Sequence, residues 1–156
     1  MKRVAELVGV KEATLFHYFR GKQELLTAVL AERDRRSLAA IEEKEAGLPQ
    51  MVRAAERNRR EPGLTTLYAV ASATANDPGH DSHRYFKERF AEVVEALATD
   101  IERRQSAGEA RADLLPRDLA RLVVAVSDGL QLQWLYDKDV DVADGLSQFI
   151  DVLLKP

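Results

Sequence analysis

The chain has 156 residues and a formal net charge of −3, and with 46% hydrophobic and 31% charged residues it can fill a core and is not disordered by composition. The absence of cysteine excludes a disulfide framework, a thiol nucleophile and a thiolate metal site. The uncharged run over residues 63–76 is too short to span a bilayer, and no basic-then-apolar leader stands at the N-terminus, so we expect a cytoplasmic protein without a membrane segment.

Charge is divided unevenly along the chain. Residues 1–36 carry 8 basic and 5 acidic side chains, whereas the remaining residues are acidic on balance. A basic end on an acidic body is typical of a small head that faces nucleic acid and a larger domain that does not. An imbalance of this size is also within the range of chance.

The first elements are two short predicted helices separated by a turn. One runs from about Lys2 to Val8 and ends at Gly9, a residue suited to a left-handed turn. The second covers about residues 12–18, and Gly21 then breaks the chain.

Apolar spacing of three and four residues continues to the C-terminus, and period-2 alternation is absent. It predicts a long helix that starts near Lys22 and extends as far as Glu45, followed by helices over about residues 50–60, 64–75, 82–107, 116–136 and 142–154. Ser82 is expected to cap one of these helices and Pro116 to occupy the first turn of another. The sequence therefore predicts an all-α protein in which a two-helix head precedes about six further helices.

The last two predicted helices are apolar on more than one face. Such helices must bury more than one face, and we expect no later segment to cover the second face of the last one. A partner subunit is the simplest cover, which predicts a homodimer formed through Val123, Val126, Leu130, Trp134, Leu146, Phe149, Ile150 and Leu153. The alternative is that the domain's own helices bury both faces.

The residues around the first turn have the properties of a helix-turn-helix that reads DNA. Such a unit needs small or apolar residues where its helices cross, and short polar or basic residues at the start of the second helix. Ala5 and Gly9 fit the crossing and the turn. The predicted inner face comprises Val4, Val8, Val10, Leu15 and Phe19. The predicted outer face comprises Lys11, Thr14, His17, Tyr18 and Lys22.

The order of these residues closely resembles the DNA-binding signature of the tetracycline-repressor (TetR) family. The resemblance covers about 25 residues and rests on Val4-Ala5-Glu6, Gly9-Val10, Thr14-Leu15-Phe16-His17-Tyr18-Phe19, Lys22 and Glu24-Leu25-Leu26. The later helices are more loosely similar to that family's body, and residues 127–134 look like the dimerisation helix of one large subgroup. The resemblance implies a DNA-binding head over residues 1–24 and a ligand-binding and dimerisation domain over residues 25–156.

The resemblance also implies roles for seven residues of the head. The positions that correspond to phosphate contacts are Thr14, Tyr18 and Lys22. The positions from which family members meet base edges are Lys11, Glu12, Ala13 and His17. Lys11 stands where a capping Ser or Thr is frequent, which weakens the start of its helix by about 1 kcal/mol. Two roles remain open for Arg20: a contact with a DNA phosphate, or a solvated residue of the turn.

The largest departure from the family pattern concerns the first helix. In relatives a helix precedes the position of Lys2 and packs over the inner face, and we expect no counterpart in this polypeptide. Without it, several apolar side chains each lose about 1.5–3 kcal/mol of burial. We therefore expect a poorly covered, mobile head and weak or no operator binding by this polypeptide, in contrast to a full-length form. Three explanations stay open: a missed upstream start or a trimmed polypeptide, a truly short gene product, and cover from a neighbouring chain.

The body offers candidates for ligand contact. Four aromatic residues at helical spacing either line an apolar cavity or fill the core: Tyr68, Phe86, Phe90 and Trp134. Asp128 interrupts an apolar helix and therefore needs a partner, which is an arginine, a second subunit or a ligand. His80 and His83 have a spacing that metal sites use, but they flank ordinary capping residues, so we expect no metal and no cofactor.

These observations predict a homodimeric, ligand-responsive transcriptional regulator, most consistent with a repressor. Its two recognition helices would enter successive major grooves of operator DNA about 34–36 Å apart. A dimeric small-molecule-binding protein without a DNA function is the alternative. An enzyme is not expected, because the sequence has no nucleophile elbow, phosphate-binding loop or Glu-x-x-His pair of a di-iron bundle.

Overall fold

The structure is a computed structural model that describes residues 1–39 and 46–155. Every regular element in these ranges is a helix, which confirms the predicted all-α class. The helices are α1 (Lys2–Val8), α2 (Glu12–Tyr18), α3 (Lys22–Ala39), α4 (Leu48–Arg60), α5 (Pro62–Thr74), α6 (His83–Ser106), α7 (Pro116–Tyr136) and α8 (Val142–Leu153). The predicted continuation of α3 to Glu45 lies outside the described residues. Within them, no helix combines the length and hydropathy that crossing a bilayer requires.

Helix boundaries follow turn chemistry. Gly9 ends α1 with φ of 72° and ψ of 28°, which is the predicted left-handed turn. Pro116 lies in the first turn of α7, also as predicted. By contrast, α4 and α5 begin earlier than predicted, at Leu48 and Pro62. Pro49 and Pro62 occupy the first turns of these helices, where a missing N–H removes no hydrogen bond.

Ser82 precedes α6 at the predicted cap position but acts differently. Its side chain makes no capping hydrogen bond to α6. Its Oγ lies instead 2.6 Å from Oγ1 of Thr27, a residue of α3. The two hydroxyls therefore tie the start of α6 to α3.

The core has one main part and smaller satellites. The main part lies between α6, α7 and α8, and its large side chains with 0% exposure are Ile101, Leu119, Val123 and Leu146. A second cluster joins α3 to α5 and α6 and contains Leu30, Tyr68 and Phe86. Burial of this apolar surface holds α3 against the body.

The start of α4 is held to α6 by a buried carboxylate. Asp100 accepts a hydrogen bond from the Leu48 N–H at 3.0 Å and one from Arg103 at 2.6 Å. Burial acts to raise the pKa of Asp100, but these donors and Arg104 outweigh it, so the pKa lies below its usual range. Gly47 stands directly against this carboxylate with φ of 82°, and a Cβ there would lie 2.5 Å from the Asp100 Cβ.

Gly47→Ala is expected to lower the free energy of unfolding by about 1–3 kcal/mol through backbone strain, with a further loss from the clash with Asp100. Urea denaturation measures the change. Gly63→Ala is the matched control, because Gly63 lies in α5 and a Cβ there meets nothing within 4 Å. Equal stability of the two variants would contradict the role given to Gly47.

Candidate DNA-reading face and effector cavity

α1 and α2 form the predicted helix-turn-helix. The Val10 N–H donates to the Ala5 carbonyl at 3.0 Å, and the Gly9 N–H donates to the Glu6 carbonyl at 3.4 Å. These bonds close the turn after α1. Ala5 and Leu15 are the buried residues of the two helices. Because Ala5 is small, α2 can pack closely on α1, which leaves the opposite side of α2 free.

The outer side of the head exposes all seven residues with implied DNA roles: Lys11, Glu12, Ala13, Thr14, His17, Tyr18 and Lys22. Lys11 holds the N-cap position of α2 without a side-chain capping bond, as expected for a lysine. The Arg20 N–H donates to Oε2 of Glu24 at 2.6 Å, which fixes the turn between α2 and α3. Exposed hydroxyl, imidazole and ammonium groups can reach phosphates and base edges.

The apolar surface of the head is poorly covered, as the sequence predicts. The exposed apolar residues of α1 and the turn are Val4 (40%), Leu7 (80%), Val8 (61%) and Val10 (40%). Of the predicted inner face, Leu15 is buried and Phe19 is half-buried, whereas the three valines are exposed. The head therefore gains little stability from burial of its own apolar residues.

A cavity of about 340 Å³ lies in the body, between α3, α4, α5, α6 and α7. Its volume suits a small organic ligand. Its apolar wall includes Met51, Ala54, Val93, Leu97 and Val124. Its polar wall includes Arg33, Asp34, Tyr68, Arg89, Asp128 and Gln131.

An ion pair joins the polar wall of the cavity to α3. Nε of Arg89 donates to Oδ2 of Asp34 at 2.7 Å, and the Tyr85 hydroxyl donates to the same oxygen at 2.7 Å. The Arg89 guanidinium also lies 4.8 Å from the centre of the Tyr68 ring. Burial acts to raise the pKa of Asp34, but Arg89 and Tyr85 outweigh it and hold that pKa below its usual range. Burial raises the pKa of Tyr68 to about 12.

Asp128 enters the same cavity from α7. It makes no hydrogen bond or ion pair with any described residue, and Arg89 attracts it without contact. Burial raises the pKa of Asp128, and this attraction opposes the rise only in part. The sequence leaves three partners open for Asp128: an arginine, a second subunit and a ligand. Among the described residues, no arginine of the subunit contacts it.

Of the four aromatic residues considered as ligand contacts, Tyr68 lines the cavity. The other three are core residues instead, because large apolar rings gain most from complete burial. Phe86 is 4% exposed beside Tyr68, and Phe90 packs against the main core. Trp134 is 5% exposed in a cluster with Ala55, and the Lys138 Nζ lies 3.6 Å from its ring centre.

Sequence reasoning missed Arg33, Asp34 and Arg89. A signal for Arg89 exists: it follows Phe86 by three residues and precedes Val93 by four, so it lies on the apolar face of α6. A charge on such a face must find a partner. No local pattern points to Asp34 as that partner, because 55 residues separate the two.

Half of the residues predicted to form the dimer interface belong to the core of the single subunit. Those with little or no exposed surface are Val123 (0%), Leu146 (0%), Trp134 (5%) and Ile150 (9%). They have no surface left to offer a partner, so their assignment to an interface is corrected. Those that are partly buried against the main core are Val126, Leu130, Phe149 and Leu153.

A different stripe of α7 and α8 is apolar and exposed. Its large members are Leu122 (46%), Leu132 (51%), Tyr136 (89%) and Val152 (75%). Gly129 lies on the same side of α7 as Leu122 and Leu132, and a Cβ there would meet nothing within 4 Å. A glycine inside a helix costs about 0.5–1 kcal/mol relative to alanine. Contacts within the subunit do not explain this glycine.

His80, which precedes α6, and His83, its first residue, form hydrogen bonds within the preceding loop. The His80 Nδ1 accepts a hydrogen bond from the Ser82 N–H at 3.1 Å, and the His83 Nδ1 lies 2.8 Å from the Ala75 carbonyl oxygen. In the part of the chain that the structure describes, no group of three His, Asp or Glu side chains is placed to hold a metal ion.

Comparison with known proteins extends the similarity beyond the head. Residues 1–29 match the family model described as bacterial regulatory proteins, tetR family. Over 131 residues the chain is 30% identical to the HTH-type transcriptional repressor Rv1474c of Mycobacterium tuberculosis, and the match covers 83% of this chain and 68% of that protein. No solved structure matches the chain at a significant level. The chain therefore belongs to the tetracycline-repressor (TetR) family of bacterial transcriptional regulators.

Proposed function

We propose that the protein acts in the cytoplasm as a homodimer that binds operator DNA through α2 and releases it when a small-molecule effector fills the cavity. The observation that most supports this proposal is the helix-turn-helix, whose residues with implied DNA roles, from Lys11 to Lys22, are exposed. The relative in Mycobacterium tuberculosis is described as a repressor, which supports repression rather than activation.

The exposed stripe on α7 and α8 is the proposed dimer contact. In a two-fold dimer both subunits use the same surface, so two copies of Gly129 would let the α7 helices approach closely. Burial of Leu122, Leu132 and Val152 would contribute about 25 cal/mol for each Å² of apolar surface removed from water. Such a dimer presents two heads to the two half-sites of a palindromic operator.

α3 is the proposed link between the cavity and the DNA. Lys22 begins this helix beside α2, and Asp34 lies about 18 Å further along its axis, where it lines the cavity. An effector that alters the contact between Asp34 and Arg89 would shift α3 and change the spacing of the two heads. DNA binding and effector binding would then be coupled reciprocally.

The exposed apolar surface of the head favours weak DNA binding by this polypeptide. The alternative function is a dimeric small-molecule-binding protein that does not act on DNA. A nanomolar, sequence-specific gel shift with this polypeptide would refute the expected weakness.

The DNA contact is tested by the salt dependence of binding to an arbitrary duplex at low salt. Each neutralised phosphate contributes about −0.9 to the slope of log K against log salt concentration. Lys22→Ala is expected to reduce the steepness of that slope by about 1 and to weaken binding equally for all sequences. Lys87→Ala, which removes the same charge from the exposed surface of α6, is the control and should leave the slope unchanged. A flat response of the unmodified protein would favour the alternative function.

A further inference from the structure

The cavity holds two opposite charges that attract each other without a direct hydrogen bond or ion pair. Asp128 of α7 and Arg89 of α6 both line it. Arg89 directs its hydrogen bonds elsewhere, to Asp34 and to the Tyr68 hydroxyl at 3.3 Å. Asp128 is left with acceptor oxygens that no described residue satisfies. Asp128 is half-buried. A partly buried carboxylate without a protein donor is unfavourable, and a ligand that supplies the donor would lower that cost.

The charges around the cavity disfavour a ligand with a charged head. The described lining has three arginines and three carboxylates, whose formal charges cancel: Arg33, Arg57, Arg89, Asp34, Glu92 and Asp128. An ammonium head beside Asp128 would also face Arg89, and a carboxylate head beside Arg89 would face Asp128. Like charges repel strongly where water is scarce. A neutral head avoids both repulsions.

We propose, building on the function proposed above, that the effector is a neutral, largely apolar small molecule whose polar head donates a hydrogen bond to Asp128 and accepts one from Arg89. A primary amide has this combination of donor and acceptor. The apolar part of the ligand would lie against Met51, Val93 and Val124, the last two one helical turn from Arg89 and Asp128. The volume of about 340 Å³ limits the ligand to a small organic molecule.

Four compounds with one hydrocarbon chain test the head group. Hexanamide has donor and acceptor, N,N-dimethylhexanamide has the acceptor alone, and hexylamine and hexanoate are charged. In ligand-observed NMR titrations of the intact protein, hexanamide is expected to bind about tenfold or more tightly than each of the others, as a hydrogen bond to a charged group allows. Tighter binding of either charged compound, equal binding of the two amides, or no binding of any compound would overturn the proposal.

Two variants test whether Asp128 is the acceptor. Asp128→Leu is expected to weaken hexanamide binding about tenfold and to leave N,N-dimethylhexanamide unchanged, while Asp128→Asn, which keeps an acceptor oxygen, is intermediate. Because burial raises the pKa of Asp128, its ionised form destabilises the empty protein at neutral pH. Both variants should therefore melt at a higher temperature than the unmodified protein, and the difference should shrink as pH falls through that raised pKa.

The exposed Asp139 provides the control: Asp139→Asn removes the same charge and should change neither melting temperature nor amide binding. If the Asp128 variants lose stability and bind hexanamide unchanged, the carboxylate has a structural role and the proposal is wrong. The salt slope of DNA binding does not depend on the cavity. If DNA affinity falls with salt as expected but hexanamide is not preferred, the proposed ligand class alone is wrong. If DNA affinity does not depend on salt, the proposed function is wrong.

Discussion

Asp34→Ala is expected to destabilise the protein by about 3–5 kcal/mol, because it leaves the Arg89 guanidinium buried without its counter-ion. The side chains of the pair are 22% and 21% exposed, and their 2.7 Å bond is shared with the Tyr85 hydroxyl. The same substitution removes one of the contacts that hold α3 to α6. Urea denaturation at neutral pH measures the loss, which is a large fraction of the stability of an ordinary domain.

The pH dependence separates this ion pair from simple packing. The folded pKa of Asp34 is lowered from 3.8, so its stabilisation is present above that value and is lost as pH falls through the lower folded pKa. The difference in the free energy of unfolding between Asp34→Ala and the unmodified protein should therefore disappear in acid. Asp113→Ala, which breaks an exposed pair with Arg111, is the control and should leave stability within error. A difference that persists below the folded pKa would contradict the electrostatic explanation.

Leu132→Glu is expected to convert the proposed dimer to monomers, with a dissociation constant about 100-fold higher or more. Leu132 is 51% exposed on the α7 stripe, and two unpaired carboxylates would become buried where the two-fold axis brings the helices together. Sedimentation equilibrium over a range of protein concentrations measures the change. The circular dichroism of the isolated subunit should stay helical, because the site is exposed there.

Val70→Glu is the matched control for that experiment. Val70 is 58% exposed on α5, away from the stripe, and the substitution adds the same charge. It should leave the dimer intact. If the dimer survives Leu132→Glu but not Val70→Glu, the interface lies on α5 instead. If the unmodified protein is a monomer, the proposal of two paired heads is wrong.

The fold was predictable wherever local chemistry decides. The bounds of α6 and α7 follow from apolar spacing and, for α7, from a first-turn proline, and Gly9 takes the left-handed turn expected of it. The starts of α4 and α5 were harder, because a proline after a break is compatible with the end of one helix and with the first turn of the next. Tertiary packing decides between them, as the bond from Leu48 to Asp100 shows.

The site was predictable only where it is contiguous in sequence. The helix-turn-helix lies within one short segment, whereas the cavity is built from five helices and its ion pair joins residues 55 positions apart. The exposed stripe on α7 and α8 shows a different limit of sequence-based prediction. Leu122 and Val123 are neighbours that point about 100° apart on a helix, and both are apolar. Which one faces the core depends on the packing of the other helices, which periodicity alone does not reveal.

The central claim is that two copies of α2 read a two-fold symmetric DNA site. The direct measurement is to recover genomic fragments bound to the protein as the cell expresses it from its own gene. We predict that the enriched fragments share an inverted repeat whose half-sites are centred one helical turn, about 34–36 Å, or a multiple of it apart. Enriched fragments without a shared inverted repeat, or no enrichment over input DNA, would contradict the claim.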